Sequence, residues 1–361
     1  MSTAARPGMD ATDAIDASAA LPLASIVVPC RNEAAHIAPC VESLLAGGYP
    51  RDRLEILVVD GMSDDGTRDV LADLAARHPE VRMLDNRRRV TPVALNMGVQ
   101  QASGRAVLIC GAHTRYPPGY VATLVRWLER SGADAVGGVC ETTPADGRPL
   151  ARAIAAAMSH PFGVGNAHFR TGVSEPRWVD TVAFGCYRRE VFARVGTFDE
   201  ELVRNQDDEY NARILRRGGR LLLVPDVTSR YAARGSLRAL WRMYWQYGRY
   251  KPLVNRKVGQ VVTVRQLVPA AFVAALALGV LALPLGAPAA WALGAVCAAY
   301  LLGALASGAR LARRVGPAAG LLATLVFPVL HLSYGAGFLV GACALLVGRR
   351  AVPGTPIPLS R

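Results

Sequence analysis

Leu54-Glu55-Ile56-Leu57-Val58-Val59-Asp60-Gly61-Met62-Ser63-Asp64-Asp65-Gly66-Thr67 reads as a strand, a polar turn and the start of a helix. Residues 54–59 are apolar and rich in branched side chains, the composition of a strand covered on both faces. Asp60 closes that run, Gly and Asp dominate the turn, and a helix is expected over residues 68–77. The same order repeats around it. Residues 25–29 (SIVVP) form an expected strand, Asn32-Glu33 open a loop, and residues 36–45 read as a helix. Strands follow at 81–84 and 106–110 with a helix over 92–102 between them. Such alternation predicts an α/β domain, a mostly parallel sheet with helices on both faces. Ligands gather outside the carboxyl ends of such strands, so the loops at 29–33, 60–67 and 110–115 should converge on one pocket.

The loops exclude two common nucleotide sites. None is a Walker loop, and no GxGxxG follows the first strand, which disfavours a dinucleotide fold. Asp60 at a strand end can accept hydrogen bonds from a nucleobase or ribose, and Asn96 brings an amide beside the same pocket. Each also has a purely structural use, Asp60 in a turn and Asn96 near a helix start.

Charge and hydropathy divide the chain of 361 residues. No Asp or Glu occurs after Asp226, where 15 Lys or Arg remain; the part through Asp226 has 26 bases and 28 acids, close to neutral. The excess therefore lies in a basic neck (Arg230, Arg234, Arg238, Arg242, Arg249, Lys251, Arg256, Lys257, Arg265) and a tail, a pattern for anionic membrane lipids and not for nucleic acid. Between Gln266 and Gly348 the charged residues are Arg310, Arg313 and Arg314, and apolar runs at 267–286, 288–306 and 316–348 are each long enough to span a bilayer. The last run reads either as one long tilted helix or as a segment broken near Pro328 or Gly335. Seven scattered cysteines show no CxxC pair, which argues against a disulfide framework or zinc site. The expected organisation is a disordered leader at 1–20, an α/β domain at 21–235, an interfacial amphipathic neck at 236–265, about three spans within 266–348, and a tail at 349–361.

Asp207-Asp208-Glu209 lies in RNQDDEYNARILRRGG, residues 204–219. Asn205 can cap a helix there, and Gly218-Gly219 stops it. Three adjacent acids either favour the helix dipole or hold a general base rigidly in the first turn. The segment alone leaves both open. Ser236 can cap a later helix with an apolar stripe of Leu237, Leu240, Trp241, Tyr244 and Trp245, and Gln246 and Arg249 share a helical face beyond it.

In this order, the motifs IVVPCRNEA, VVDGMSDDGT, ALNMGVQQASG, HTRYPPGY, VDTVAFGCYRREVFARVGTFDE, RNQDDEYNARILRRGG and QYGRYK resemble the family 2 glycosyltransferases, specifically membrane-anchored members similar to succinoglycan-biosynthesis glucosyltransferases. The resemblance covers roughly residues 25–251 and the apolar tail. It implies a GT-A fold, an inverting transfer from a nucleotide-diphospho-sugar, and a divalent metal, Mn²⁺ or Mg²⁺. Carried over, Pro29, Glu33, Asp60 and Asn96 contact the donor nucleotide, while Gln246 and Arg249 match QxxRW, with Tyr250 in place of Trp on the acceptor side. Phe184 and Gly185 lie on acceptor-side loops by the same resemblance, as does the loop at 161–166. Where the family ends its next strand in acids, this chain has Cys110-Gly111-Ala112-His113, so His113 is the implied metal ligand and Gly111 a departure. Arg213 matches the family's helix arginine. Counting back makes Asp207 the catalytic base, Glu209 an acceptor-side residue and Asp208 a helix cap.

The implied reaction moves a sugar to a polyprenyl-diphosphate-linked saccharide at the cytoplasmic face of the inner membrane, in exopolysaccharide biosynthesis. Two alternatives stand beside it: a polyprenyl-phosphate sugar synthase, and a nucleotide-sugar-binding membrane pseudoenzyme or scaffold, suggested by Gly111.

Overall fold

The computed structural model describes residues 21–261 and 263–348; the leader and the tail expected at 1–20 and 349–361 lie outside them. In chain order the strands and helices are β1 (Ala24–Cys30), α1 (Ile37–Leu45), β2 (Leu54–Asp60), α2 (Thr67–Arg77), β3 (Val81–Asp85), α3 (Thr91–Gln101), β4 (Ala106–Ile109), α4 (Tyr120–Ser131) and β5 (Ala135–Thr143). Then come α5 (Pro149–Met158), α6 (Pro161–Val164), α7 (His168–Thr171), β6 (Arg177–Val179), β7 (Cys186–Arg188), α8 (Arg189–Val195), α9 (Gln206–Arg216) and β8 (Leu221–Ala232). The C-terminal helices are α10 (Leu237–Val258), α11 (Val268–Leu281), α12 (Ala287–Val315) and α13 (Pro317–Leu346). Two compact units result: one of residues 21–140, 172–200 and 213–229, the other of residues 141–171, 201–212 and from 230 on.

The sheet has the order β3-β2-β1-β4-β7-β5-β8-β6. The four strands anticipated from the alternation pair in parallel, with Cys30 opposite Asp60 and Asp60 opposite Asp85. β7 runs antiparallel to both β4 and β5, and β6 antiparallel to β8, so the sheet is mixed. Pleating divides the β1 side chains between two helical layers. Ile26 and Val28 join a core with Ile37, Leu44, Leu71 and Leu124 from α1, α2 and α4. Val27 faces α3, where a Cβ on Gly98 would collide with its methyl groups, so only glycine lets that helix approach.

In the second unit, α10 is capped by Ser236, whose hydroxyl accepts from the Ala239 amide at 3.3 Å, and ends at Gly259 (φ 78°). Its core joins Leu240 and Met243 to Ile154 and Met158 of α5, Leu311 of α12, and Ala323, Phe327 and Leu330 of α13. Among the described residues three helical segments are long and apolar enough to cross a membrane: Val264–Leu281, Ala287–Val315 and Pro317–Leu346. The last is one continuous helix through Pro328 and Gly335. At 30 residues it is about 45 Å long, more than the ~30 Å hydrocarbon core requires.

Candidate functional site

In the first unit the loops after β1 and β2 are stitched together. The Gly61 amide donates to Cys30 O at 2.8 Å, the Asn32 amide to Ser63 Oγ at 2.7 Å, and the Glu33 amide to Thr67 Oγ1 at 2.8 Å. The Asn32 side chain donates to Asp64 Oδ1 and accepts from the Asp64 amide. Asn32 and Met62 take positive φ values of 53° and 58°, strained for non-glycine residues and held by these bonds. Pro29, near the end of β1, is thereby fixed beside Val59 and one residue from the Cys30–Asp60 pair.

Asp60 is wholly buried. Its carboxylate accepts from the Ser63 hydroxyl (2.5 Å), the Ser63 amide (3.0 Å) and Arg68 (2.8 Å), and Arg68 also reaches Asp85 at 2.9 Å. In this conformation Asp60 organises its own turn. Asn96 likewise braces a loop: its side chain accepts from the Phe198 amide at 2.8 Å and donates to Phe198 O at 2.9 Å and Glu200 at 3.2 Å.

His113 Nδ1 lies 3.4 Å from Glu33 Oε1, which brings two implied donor-site residues together. Gly111 has no room to spare. A Cβ there would sit 2.9 Å from the Phe184 ring and 3.1 Å from Thr114 Oγ1. Phe184 is itself held at φ 50°, and a Cβ on the following Gly185 would lie 2.9 Å from the Tyr187 ring. Phe184 therefore closes on the strand end that lacks the acid.

In the second unit the acidic trio separates into three environments. Asp207 stands in the first turn of α9 with accessible surface. Partial desolvation by the surrounding protein raises its carboxyl above the ordinary value; the charge of Asp208 adds to the rise and Lys251 opposes it. Asp208 pairs with Lys251, which is only 3% exposed. Glu209 is buried, and its amide donates to Asn205 O at 3.0 Å. The first-turn position of Asp208 is thus accompanied by an ion pair, a partner the cap reading did not include.

Of the α10 residues, Gln246 and Tyr250 share the face turned toward residues 202–212. Gln246 is buried and accepts from Arg204 at 3.1 Å. Tyr250 is 1% exposed and packs with Leu202, Ala212, Val254 and Val258. Arg249 is half-buried, and its carbonyl lies where a Cβ on Gly341 of α13 would strike it. Lys251, Arg204 and Arg68 are participants that sequence reasoning missed. Lys251 did leave a signal: it falls at helical spacing within the stripe Leu240, Tyr244, Tyr247, Val254 and Val258, opposite Arg242, Arg249 and Arg256.

Comparison with known proteins places the chain. The profile described as Glycosyl transferase family 2 matches residues 25–196. The succinoglycan biosynthesis protein ExoA of Rhizobium meliloti (strain 1021) is 32% identical over 323 residues, 87% of this chain and 93% of its own length. The dolichyl N-acetyl-alpha-D-glucosaminyl phosphate 3-beta-D-2,3-diacetamido-2,3-dideoxy-beta-D-glucuronosyltransferase of Methanococcus voltae is 27% identical over 64% of this chain and 74% of its own. Among solved structures, mannosyltransferase PcManGT of Pyrobaculum calidifontis, in complex with GDP-Man and Mn²⁺, is similar with a TM-score of 0.55 and 22% identity, covering 92% of this chain and 89% of that one. That likeness establishes the GT-A fold.

Proposed function

Because the chain belongs to glycosyltransferase family 2, we propose that it moves a sugar from a nucleotide-diphospho-sugar to a polyprenyl-diphosphate-linked saccharide, with inversion at the anomeric carbon. The observation that carries this reading is Asp207: an accessible carboxylate of raised proton affinity, fixed in a helix's first turn, in the same compact unit as three apolar helices. A base must accept a proton from the acceptor hydroxyl as the bond to the sugar forms, and a carboxyl raised toward the working pH does so better than an ordinary one. A single displacement inverts the anomeric centre. The lipid-linked acceptor is supported by the Methanococcus voltae relative, named for a dolichyl-linked sugar phosphate, and an exopolysaccharide product by the Rhizobium meliloti relative, named for succinoglycan.

The loops at the ends of β1 and β2 are assigned to the donor nucleotide, with Pro29 and Glu33 on their lining and Asp60 and Asn96 acting by holding the surrounding loops in place. Gln246 and Arg249 are assigned to the leaving diphosphate, where a guanidinium stabilises departing charge. Glu209, Tyr250, Phe184 and Gly185 are assigned to the acceptor side, in which Glu209 and Tyr250, both buried, act by shaping its walls. Among the described residues no group of three or more His, Cys, Asp or Glu side chains forms a self-sufficient metal site. His113 and Glu33 would hold a divalent ion, and a mixed nitrogen and oxygen donor pair suits Mn²⁺ better than Mg²⁺. Bound there, the ion would neutralise charge on the diphosphate.

We assign residues 21–235 to a cytoplasmic catalytic body, 236–265 to an interfacial neck and 266–348 to the inner membrane as a multi-pass anchor. A donor screen tests the reaction, using purified protein in lipid with labelled nucleotide sugars, with and without Mn²⁺. Transfer to lipid-linked saccharide is the expected result. Transfer only to bare polyprenyl phosphate identifies a synthase, and donor binding without turnover identifies a scaffold.

A further inference from the structure

α10 grips the chain on both sides of Asp207. Lys257 pairs with Glu201 at 2.5 Å, Gln246 with Arg204, the Tyr247 carbonyl accepts from the Asn205 side chain at 3.0 Å, and Lys251 pairs with Asp208. Leu202 and Ala212 close against Tyr250, Val254 and Val258 between these polar contacts. α10 is itself seated on α13 by glycines: a Cβ on Gly337 would strike the Trp245 carbonyl, and one on Gly248 the Tyr334 carbonyl. Within this seam Lys251 is a buried cation in an otherwise apolar stripe. A buried charge is costly unless it is paired.

We propose that Lys251 is a positioning residue for Asp207, cancelling the charge of Asp208 so that its neighbour can ionise, and locking the first turn of α9 in register on α10. The inference rests on Asp207 being the base. Two adjacent carboxylates, partly desolvated by the protein around them, resist being ionised together, and an ammonium on one of them lifts that resistance. The electrostatics have the matching signs: Asp208 pushes the Asp207 carboxyl up and Lys251 pulls it down. The other charged and titratable groups facing this seam include Glu209 and Arg204, Tyr250 and Tyr247 of α10, and Tyr334 of α13; Tyr247 is within electrostatic reach of Asp207 and Arg204, Tyr250 of Arg204 and Arg249, and Tyr334 of Asp208 and Arg265.

The test compares the acid limb of the kcat–pH profile in the full-length protein in lipid. Lys251→Met removes the cation from Asp208 and moves the limb up by about one pH unit or more, whereas Asp208→Asn leaves the cation and moves it down. Lys251→Met/Asp208→Asn returns it to the wild-type position, and Lys251→Arg restores most of kcat with little change in donor KM. A purely structural lysine would lower the melting temperature without opposite shifts. Unmoved limbs in both single variants overturn the proposal. If Lys251→Met does not fold, the double variant and Asp208→Asn decide, and a double variant shifted up overturns it. Asp207→Asn is run in parallel: retained activity there refutes the base assignment, and a dead Asp207→Asn beside unmoved limbs refutes only the role of Lys251.

Discussion

Asp60 in the first unit is wholly buried and its carboxylate is taken up by Ser63 and Arg68, whereas Asp207 in the second keeps solvent access and holds its proton more tightly than an ordinary carboxylate. The two regions use the same functional group for opposite ends. Where donors surround the carboxylate, it becomes a structural acceptor that organises its own turn. Where desolvation and a second acid surround it, it becomes reactive toward protons. A strand-end acid is therefore not by itself a ligand contact, and an acid run is not by itself a solvated helix cap.

The largest expected effect falls on the reactive end. Asp207→Asn should lower turnover about 10²–10⁴-fold, measured with labelled donor, without lowering the melting temperature. The sign follows from the raised carboxyl: its contribution to stability is present at low pH and is lost as pH rises through the folded-state value, so an amide removes a destabilising ionisation. For the same reason wild-type turnover should rise with pH across a range above that of ordinary carboxylates. In the first unit, chelation should suppress turnover and Mn²⁺ restore it, and His113→Ala should raise the Mn²⁺ needed for half-maximal activity about 10–100-fold. Metal-independent turnover would detach the Glu33–His113 pair from catalysis.

A smaller effect tests whether the first unit is rigid by design. Asn96→Ala removes three hydrogen bonds to Phe198 and Glu200 and should cost about 1–3 kcal/mol, read as lost thermal stability and a raised donor KM. The smallest falls on the outer face of α10. Arg242→Ala should change stability by less than about 0.5 kcal/mol in neutral bilayers, while protein reconstituted in anionic vesicles should lose about 1 kcal/mol, read as a lowered melting temperature. Equal losses in neutral and anionic vesicles would remove Arg242 from lipid contact.

The parallel half of the sheet was legible because branched apolar runs, Asp-Gly turns and helical periods agree over residues 25–110. The antiparallel β7, inserted between β4 and β5, was not: three residues, Cys186–Arg188, carry no periodic signal. The ordered motifs marked the residues of the candidate site but not their states. Lys251 was read with the basic neck because composition counts charges without regard to which helical face bears them. Phe184 closing on Gly111 could not be read either, since nothing local couples residues 73 positions apart.

By itself the sequence determined the alternating domain, its glycosyltransferase motifs, the apolar helices and the acids around Asp207, because each of these is written in short-range pattern and order. Only the tertiary structure decided that Asp60 is sealed by Ser63 and Arg68, that Asn96 is spent on Phe198, and that Lys251 answers Asp208 across 43 residues. The reason is that a carboxylate's chemistry is set by what surrounds it in space, and burial and pairing come from contacts between distant parts of the chain.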